Sequence, residues 1–348
     1  MNDKMLGVLL CLMVAFCVQV SCTQESPVTE PRQQEIVPGE SGTFAKGADV
    51  SWLTQMESEG LQFTDKNGTV TECMKLLKEE CNVNAIRLRV WVNPAEGWNN
   101  ADDVLVKARR AASLGLRLMI DFHFSDTWAD PAHQQTPAAW VDYDLPQMKT
   151  ALSSHVKDVL SKLKSFGVTP EWVQIGNETR TGMLWPLGSI DNGDNYAQLT
   201  NAGYDTVKDV FPDAKVIVHI DSGNNLGLYT KVFDYMKNKG GKYDLIGMSL
   251  YPETGKSKDY VRECVSNITS LSTKYGKSVV ICEIGMDYDQ PEECRDCISS
   301  LIAKGLETGK LEGVFYWEPE APAGYNEGYG KGCFSSGTPT VALDAFKD

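Results

Sequence analysis

Eight short runs of apolar and β-branched residues recur along the chain, at 47–52, 84–92, 116–124, 171–177, 214–220, 244–251, 277–284 and 313–317. Between them lie stretches with apolar positions three and four apart, the spacing of one helix face. Examples are VTECMKLLKEEC, ADDVLVKARRAASLG, QMKTALSSHVKDVLSKLKSFG, YAQLTNAGYDTVKDVF and CRDCISSLIAKGLETG. Several close on a glycine, a helix-stop signal. Strand and helix in alternation imply parallel strands joined by crossovers, and eight strands is the number that closes a (β/α)8 barrel. An open doubly wound sheet is the alternative, but no Gly-rich dinucleotide fingerprint follows the first strand. No linker-like interruption breaks the chain after Phe44, so residues 44–348 are expected to form one α/β domain, a (β/α)8 TIM barrel.

The pattern changes ahead of Phe44. Lys4 precedes MLGVLLCLMVAFCV, an apolar run of signal-peptide length that is too short to span a bilayer comfortably. It ends at Ser21-Cys22 and resembles a bacterial lipoprotein signal, although Gln19 stands where that pattern prefers Leu. Residues 1–21 therefore read as an export signal, Cys22 as a lipidated residue, and 22–43 as a flexible tether rich in Pro, Glu, Gln and Ser. A plain cleaved signal with an incidental cysteine is the alternative. The lipid reading predicts membrane attachment at a bacterial outer membrane, on its surface or periplasmic side.

Charge narrows the partners. Lys and Arg number 33 against 47 Asp and Glu, a net −14, so no basic stripe exists to neutralise phosphates and nucleic acid is an unsuitable ligand. A neutral substrate and a monomeric protein suit the composition. Of ten cysteines, setting aside Cys11, Cys17 and Cys22 leaves Cys73, Cys81, Cys264, Cys282, Cys294, Cys297 and Cys333. Cys294 and Cys297 form a lone C-x-x-C, and a zinc site needs about four ligands. The seven read as small core residues, with one or two disulfides among them.

In a barrel the C-terminal strand ends share one mouth, where barrel enzymes keep their active sites. Arg87, Arg89 and Trp91 fall on one face of the second strand by the two-residue alternation. The third strand brings Asp121 and His123, then Asp126, Trp128 and Asp130 in SDTWADP. Asn177 and Glu178, His219 and Asp221, Tyr251, Glu283, and Trp317 with Glu318 end the later strands. Singly, each has a mundane reading as an ion pair, a core histidine or a packed ring. Packing alone does not explain such groups at seven of eight ends. Glu178 and Glu283 each close a strongly apolar run, on strands that would face one another across the mouth. Opposed carboxylates are the equipment of glycoside hydrolysis.

The stretches RLRVWVNP, DFHFSDTWADP, WVQIGNETRTGMLWPLG, DLIGMSLYPE, CEIGMDY and FYWEPE span residues 87–320. On them the chain resembles glycoside hydrolase family 53, the arabinogalactan endo-β-1,4-galactanases, within the larger clan A of retaining barrel hydrolases. The resemblance implies endo-acting retaining cleavage of β-1,4-galactan, with Glu178 as acid/base and Glu283 as nucleophile. It places Asn177 at the sugar 2-OH and Arg89, Tyr251 and Trp317 around the reacting ring. Glu178 must then be protonated, and Arg89 is expected to keep Glu283 ionised. His123, Asp126 and Asp221 complete the expected substrate contacts. Trp128, Trp185 and Trp317, with Trp91, are candidate stacking platforms for pyranose faces, and barrel packing explains Trp91 equally well. Some bacterial members carry calcium in a long segment after strand seven. Here that segment is the short MDYDQPEECRDC, and helix-start acids account for Asp287, Asp289 and Glu292, so neither metal nor cofactor is expected. The Gly-rich C-terminal stretch GYNEGYGKGCFSSGTPTVALDAF is expected to form a loop at the mouth ahead of a last short helix. Two other readings remain: a retaining β-mannanase or β-glucanase, and a catalytically silent glycan-binding lipoprotein, for which a matched carboxylate pair has no purpose.

Overall fold

In the computed structural model, which describes residues 42–347, eight parallel strands hydrogen-bond in chain order and the eighth returns to the first, closing a barrel. They are β1 Ala45–Asp49, β2 Ala85–Val90, β3 Arg117–Phe122, β4 Trp172–Ile175, β5 Lys215–Ile220, β6 Leu245–Leu250, β7 Val279–Ile284 and β8 Leu311–Trp317. This is the (β/α)8 barrel expected from the alternation. The export signal, Cys22 and most of the tether lie outside the described residues. β1 ends earlier than its apolar run because Asp49 Oδ1 takes the Ser51 backbone N–H at 3.0 Å and turns the chain.

Helices α1 Leu53–Ser58, α2 Cys73–Cys81, α3 Ala101–Ser113, α4 Leu145–Ser165, α5 Asn195–Val210, α6 Leu226–Lys239, α7 Ser257–Tyr275 and α8 Pro291–Glu307 surround the strands. Their limits follow local chemistry. α4 starts ahead of its apolar periodicity because Asp144 and Gln147 form a reciprocal capping box with Pro146 in the first turn. The Asn100 side chain accepts from two backbone N–H groups at the start of α3.

Alternate strand residues point into the barrel. Low in its interior Ala45, Ala85, Met119, Trp172, Ile217, Leu245, Val280, Cys282 and Phe315 form a separate apolar plug. Gly47 is what lets Phe315 lie there, since a Cβ on it would sit 2.1 Å from the ring. One or two inward steps nearer the mouth the residues turn polar: Asp49, Arg87, Asp121, Gln174, His219 and Ser249. The interior thus changes from a hydrophobic floor to a charged ceiling within the length of each strand.

The cysteines depart from expectation. All seven are free and buried, so the described residues contain no disulfide, and the small-core reading alone survives. They are distributed through the apolar layers, where a thiol behaves as a small hydrophobe.

Candidate active site

The two strand-ending glutamates reach the mouth by irregular backbone. After β4, Gly176 adopts φ +84°, and a Cβ there would sit 2.6 Å from Thr179 Cγ2. Glu178 itself has φ +47°, a left-handed conformation that costs a non-glycine residue free energy and marks strained functional positions. On β7 strict alternation from Val280 and Cys282 would turn Glu283 away from the barrel axis. Instead Met248 pairs with Ile281 while the next residue, Ser249, pairs with Glu283, so β7 carries one extra residue. That bulge re-aims Glu283.

Both carboxylates line one cavity of about 510 Å³, together with Trp52, His123, Trp128, Ala129, Asp130, Asn177, Tyr251, Trp317 and the 326–331 segment. Glu283 is clamped. Its Oε1 lies 2.9 Å from Arg87 Nη2, and its Oε2 accepts from the Tyr251 hydroxyl at 2.8 Å. Glu178 accepts from Ser249 Oγ at 2.6 Å and has no cation in contact among the described residues. Burial pushes the Glu178 carboxyl well up, and the charge of Glu283 pushes it further. Burial raises Glu283 as well, but Arg87 and the Tyr251 hydroxyl oppose it. A proton shared by this pair therefore resides on Glu178.

The guanidinium beside Glu283 belongs to Arg87, which corrects the assignment to Arg89. Arg87 also binds Asp49 and Asp121 at 2.7 Å each and donates to Gln174 and Asn177. Burial alone would raise Asp121, yet Arg87 and His123 hold it below the ordinary aspartate range. Arg89 bonds Glu318 at 3.2 Å and lies under an aromatic wall, 4.5 Å from the Trp128 ring centroid and 4.9 Å from that of Trp91. Trp52 is the hub of that wall, meeting Trp317 at 5.2 Å, Trp128 at 5.7 Å and Tyr329 at 5.4 Å. Glu318, buried beside Asp49, is pushed up to about 8 in spite of Arg89.

Of the sequence-predicted site residues, Glu178, Glu283, His123, Trp128, Asn177, Tyr251 and Trp317 meet at the cavity, whereas Arg89, Trp91, Asp126, Trp185 and Asp221 do not line it. Asp126 is engaged by the backbone N–H groups of Asn93 and Ala138, which ties two mouth loops together. The Trp185 indole donates to Thr181 O within its own loop. Asp221 pairs with Arg180 at 3.1 Å behind Glu178, and Trp91 packs edge-on against Trp128. Of the expected C-terminal mouth loop, residues 326–331 lie on the cavity, and the remainder forms a two-residue strand pair and a closing 3-10 helix. Sequence reading missed Trp52, Ser249 and Lys331. Trp52 stands three residues past β1 and ends the apolar run 47–52, and a tryptophan at the end of such a run was the available signal.

A calcium ion does not suit the segment after β7. Asp287 Oδ1 lies 2.9 Å from Lys331 Nζ and its Oδ2 accepts from Thr254, so an ammonium already neutralises the best oxygen donor.

A closed parallel barrel that opposes two buried acids beside a tryptophan wall is the architecture of a barrel glycoside hydrolase. Comparison with known proteins agrees. The pattern of glycosyl hydrolase family 53 matches residues 45–302. A curated relative from Humicola insolens, an arabinogalactan endo-β-1,4-galactanase, is 34% identical over 299 residues, covering 79% of this chain and 89% of its own. The solved structure of a fungal β-1,4-galactanase superposes with a TM-score of 0.80 at 30% identity, over 87% of this chain and 98% of the other. A family 53 catalytic domain from Ignisphaera aggregans gives a TM-score of 0.78 at 27% identity, over 90% and 98%. The chain belongs to glycosyl hydrolase family 53 and is a glycoside hydrolase.

Proposed function

We propose that this protein is an endo-β-1,4-galactanase that cleaves galactan and type I arabinogalactan by a retaining double displacement. One observation carries the mechanism: across a single cavity, an uncompensated buried acid, Glu178, opposes Glu283, which Arg87 and Tyr251 hold for ionisation. The substrate follows from relatives named as galactanases at about a third identity over most of the chain.

In the first step Glu283 attacks C1 of the sugar. The glycosidic C1–O bond breaks, and the departing oxygen takes its proton from Glu178, leaving a glycosyl ester on Glu283. Water then attacks C1, gives a proton to the Glu178 carboxylate and frees Glu283. Asn177 lines the cavity with its Oδ1 taken by Arg87 and Gln174 and one amide N–H donated to Ala129 O, so its second N–H is the group offered to the sugar 2-OH. Trp128 and Trp317 supply faces for neighbouring pyranoses.

Glu178→Ala and Glu283→Ala are each expected to lower turnover on potato galactan by several orders of magnitude in a folded protein. Azide should partly restore Glu283→Ala by replacing the nucleophile. Retention requires carboxyls about 5–5.5 Å apart, and proton NMR in the first minutes should show the β-anomer of new ends. Initial α-product removes Glu283 as nucleophile. Galactomannan and cellulose, assayed in parallel, test the substrate.

We also propose attachment to the outer membrane through lipidated Cys22, on the strength of the Ser21-Cys22 junction and the polar tether. Substituting Cys22 should move active enzyme from the detergent phase to the aqueous phase. Wild-type enzyme already in the aqueous phase points to a plain signal.

A further inference from the structure

The Glu178 carboxyl is the end of a buried chain of hydrogen bonds. Ser249 Oγ lies 2.6 Å from Glu178 Oε1 and 2.8 Å from His219 Nε2. His219 Nδ1 lies 2.9 Å from Gln174 Nε2 and 2.8 Å from Asn177 Oδ1. Ser249 and His219 are 1% and 0% exposed, and neither lines the cavity. Set behind the cavity wall, Ser249 meets Glu178 directly, and His219 meets it through Ser249 while its other ring nitrogen faces Asn177.

The inner end limits the polarity of the chain to two arrangements. Asn177 Oδ1 is an acceptor, because Asn177 Nδ2 donates to Ala129 O and Arg87 Nη2 donates into Oδ1. Gln174 Oε1 accepts from Arg87 Nε, so Gln174 Nε2 is the donor facing His219. Burial, reinforced by the Arg87 charge, keeps His219 neutral, with a single ring N–H. Two arrangements then exist. In one, Nδ1 accepts from Gln174, Nε2–H donates to Ser249, and the Ser249 hydroxyl donates to Glu178 Oε1, at the cost of leaving no hydrogen between Nδ1 and Asn177 Oδ1. In the other, Nδ1–H donates to Asn177, Nε2 accepts from Ser249, and Oε1 of Glu178 must carry the acid proton inward, so that no donor faces the carboxylate once that proton has left.

We propose that Ser249 and His219 are positioning residues that hold the first arrangement, confining the transferable proton to Glu178 Oε2 and stabilising the carboxylate left after its transfer. This rests on the reading of Glu178 as acid/base. When the glycosidic bond breaks, the Oε2–H bond breaks and a leaving-group O–H forms, the electron pair staying on a carboxylate whose Oε1 keeps the Ser249 bond. In the second step a water O–H breaks and its proton returns to Oε2. His219 ends each cycle with the tautomer it began with.

The other groups facing Glu178 are Glu283 from β7, Asp221 beyond β5 and Arg87 from β2, and those facing His219 are Arg87, Asp121 and His123. A Ser249→Ala variant of the whole protein leaves all of them in place. Its alkaline limb of kcat/KM on galactan is expected to move up by about one pH unit or more, and its kcat to fall about 10- to 100-fold, because a charge-assisted donor is lost. First-turnover release of dinitrophenol from an aryl β-galactobioside needs no proton and should hold at the wild-type rate. His219→Leu should shift the limb in the same direction, while His219→Gln, which keeps a donor toward Ser249, should restore it. An unmoved limb in Ser249→Ala and His219→Leu, or equal losses on both substrates, overturns the inference. If Glu178→Ala itself retains galactan turnover, the acid/base reading fails instead.

Discussion

Arg87 and Arg89 stand one inward step apart on β2, and replacing each by Met separates their duties. Arg87 is fully buried and pairs with Asp49, Asp121 and Glu283 at 2.7, 2.7 and 2.9 Å. Removing one member of a buried ion pair typically costs about 3–5 kcal/mol, because charge is left behind without compensation. At about 2–4 °C per kcal/mol, Arg87→Met should lower Tm by roughly 6–20 °C near neutral pH. The sign of its pH dependence is fixed. Without the guanidinium, Asp121 and Glu283 are raised above their unfolded values, so the folded variant holds protons that the unfolded chain has lost. Its deficit is therefore largest at neutral pH and shrinks as the solution is acidified. The proposed mechanism requires Glu283 to be ionised. Loss of a charge-assisted contact corresponds to about one to two pKa units, moving the acid limb of kcat/KM upward by that amount. Arg89→Met should leave the acid limb in place and raise KM, because Arg89 supports the tryptophan wall. Urea unfolding at two pH values and a pH–rate profile on galactan measure all of this. An acid limb that stays fixed in Arg87→Met, or moves only in Arg89→Met, refutes the assignment.

Other outcomes are equally specific. Gly176→Ala combines φ +84° with a contact of 2.6 Å to Thr179, and should cost about 1–3 kcal/mol in urea unfolding while lowering kcat through displacement of Glu178. Trp128→Ala should raise KM on galactan about 2- to 12-fold with a smaller change in kcat, the range expected for one aromatic contact. Glu318, pushed up to about 8, keeps its proton in the fold at pH values where the unfolded chain has lost it. Stability should thus decline as pH climbs toward 8, and calorimetry should find that decline flattened in Glu318→Gln. The seven buried thiols should resist a disulfide-exchange reagent until denaturant is added, and reducing agent should leave Tm unchanged; rapid native labelling would contradict their burial.

Strand count, alternation and closure were legible along the chain because hydrophobic periodicity is local, and each of the eight apolar runs overlaps one barrel strand, although β1 and β8 each begin two residues earlier than the run. Glu178 and Glu283 were legible for the same reason: an apolar run that stops at a carboxylate at the mouth of a barrel shows in a window of ten residues. Which side chain meets which is a different kind of information. Arg87 and Arg89 share a face by the two-residue rule, and only the closed ring, across whose interior Arg87 reaches Glu283 of β7 while Arg89 meets Glu318 after β8, decides that Arg87 serves Glu283. Ser249 sits inside an apolar run that reads as packing, yet in the closed barrel its hydroxyl reaches Glu178, which follows β4. Asp126 and Trp185 carry residue types suited to a cleft, but their loops turn them toward neighbouring backbone. The extra residue in β7 that re-aims Glu283 breaks the alternation from which sequence reading argues. Periodicity and composition determined the barrel and its two acids. Register, bulge and closure, which couple residues separated by up to a whole barrel's length of chain, decided the contacts that set their charge.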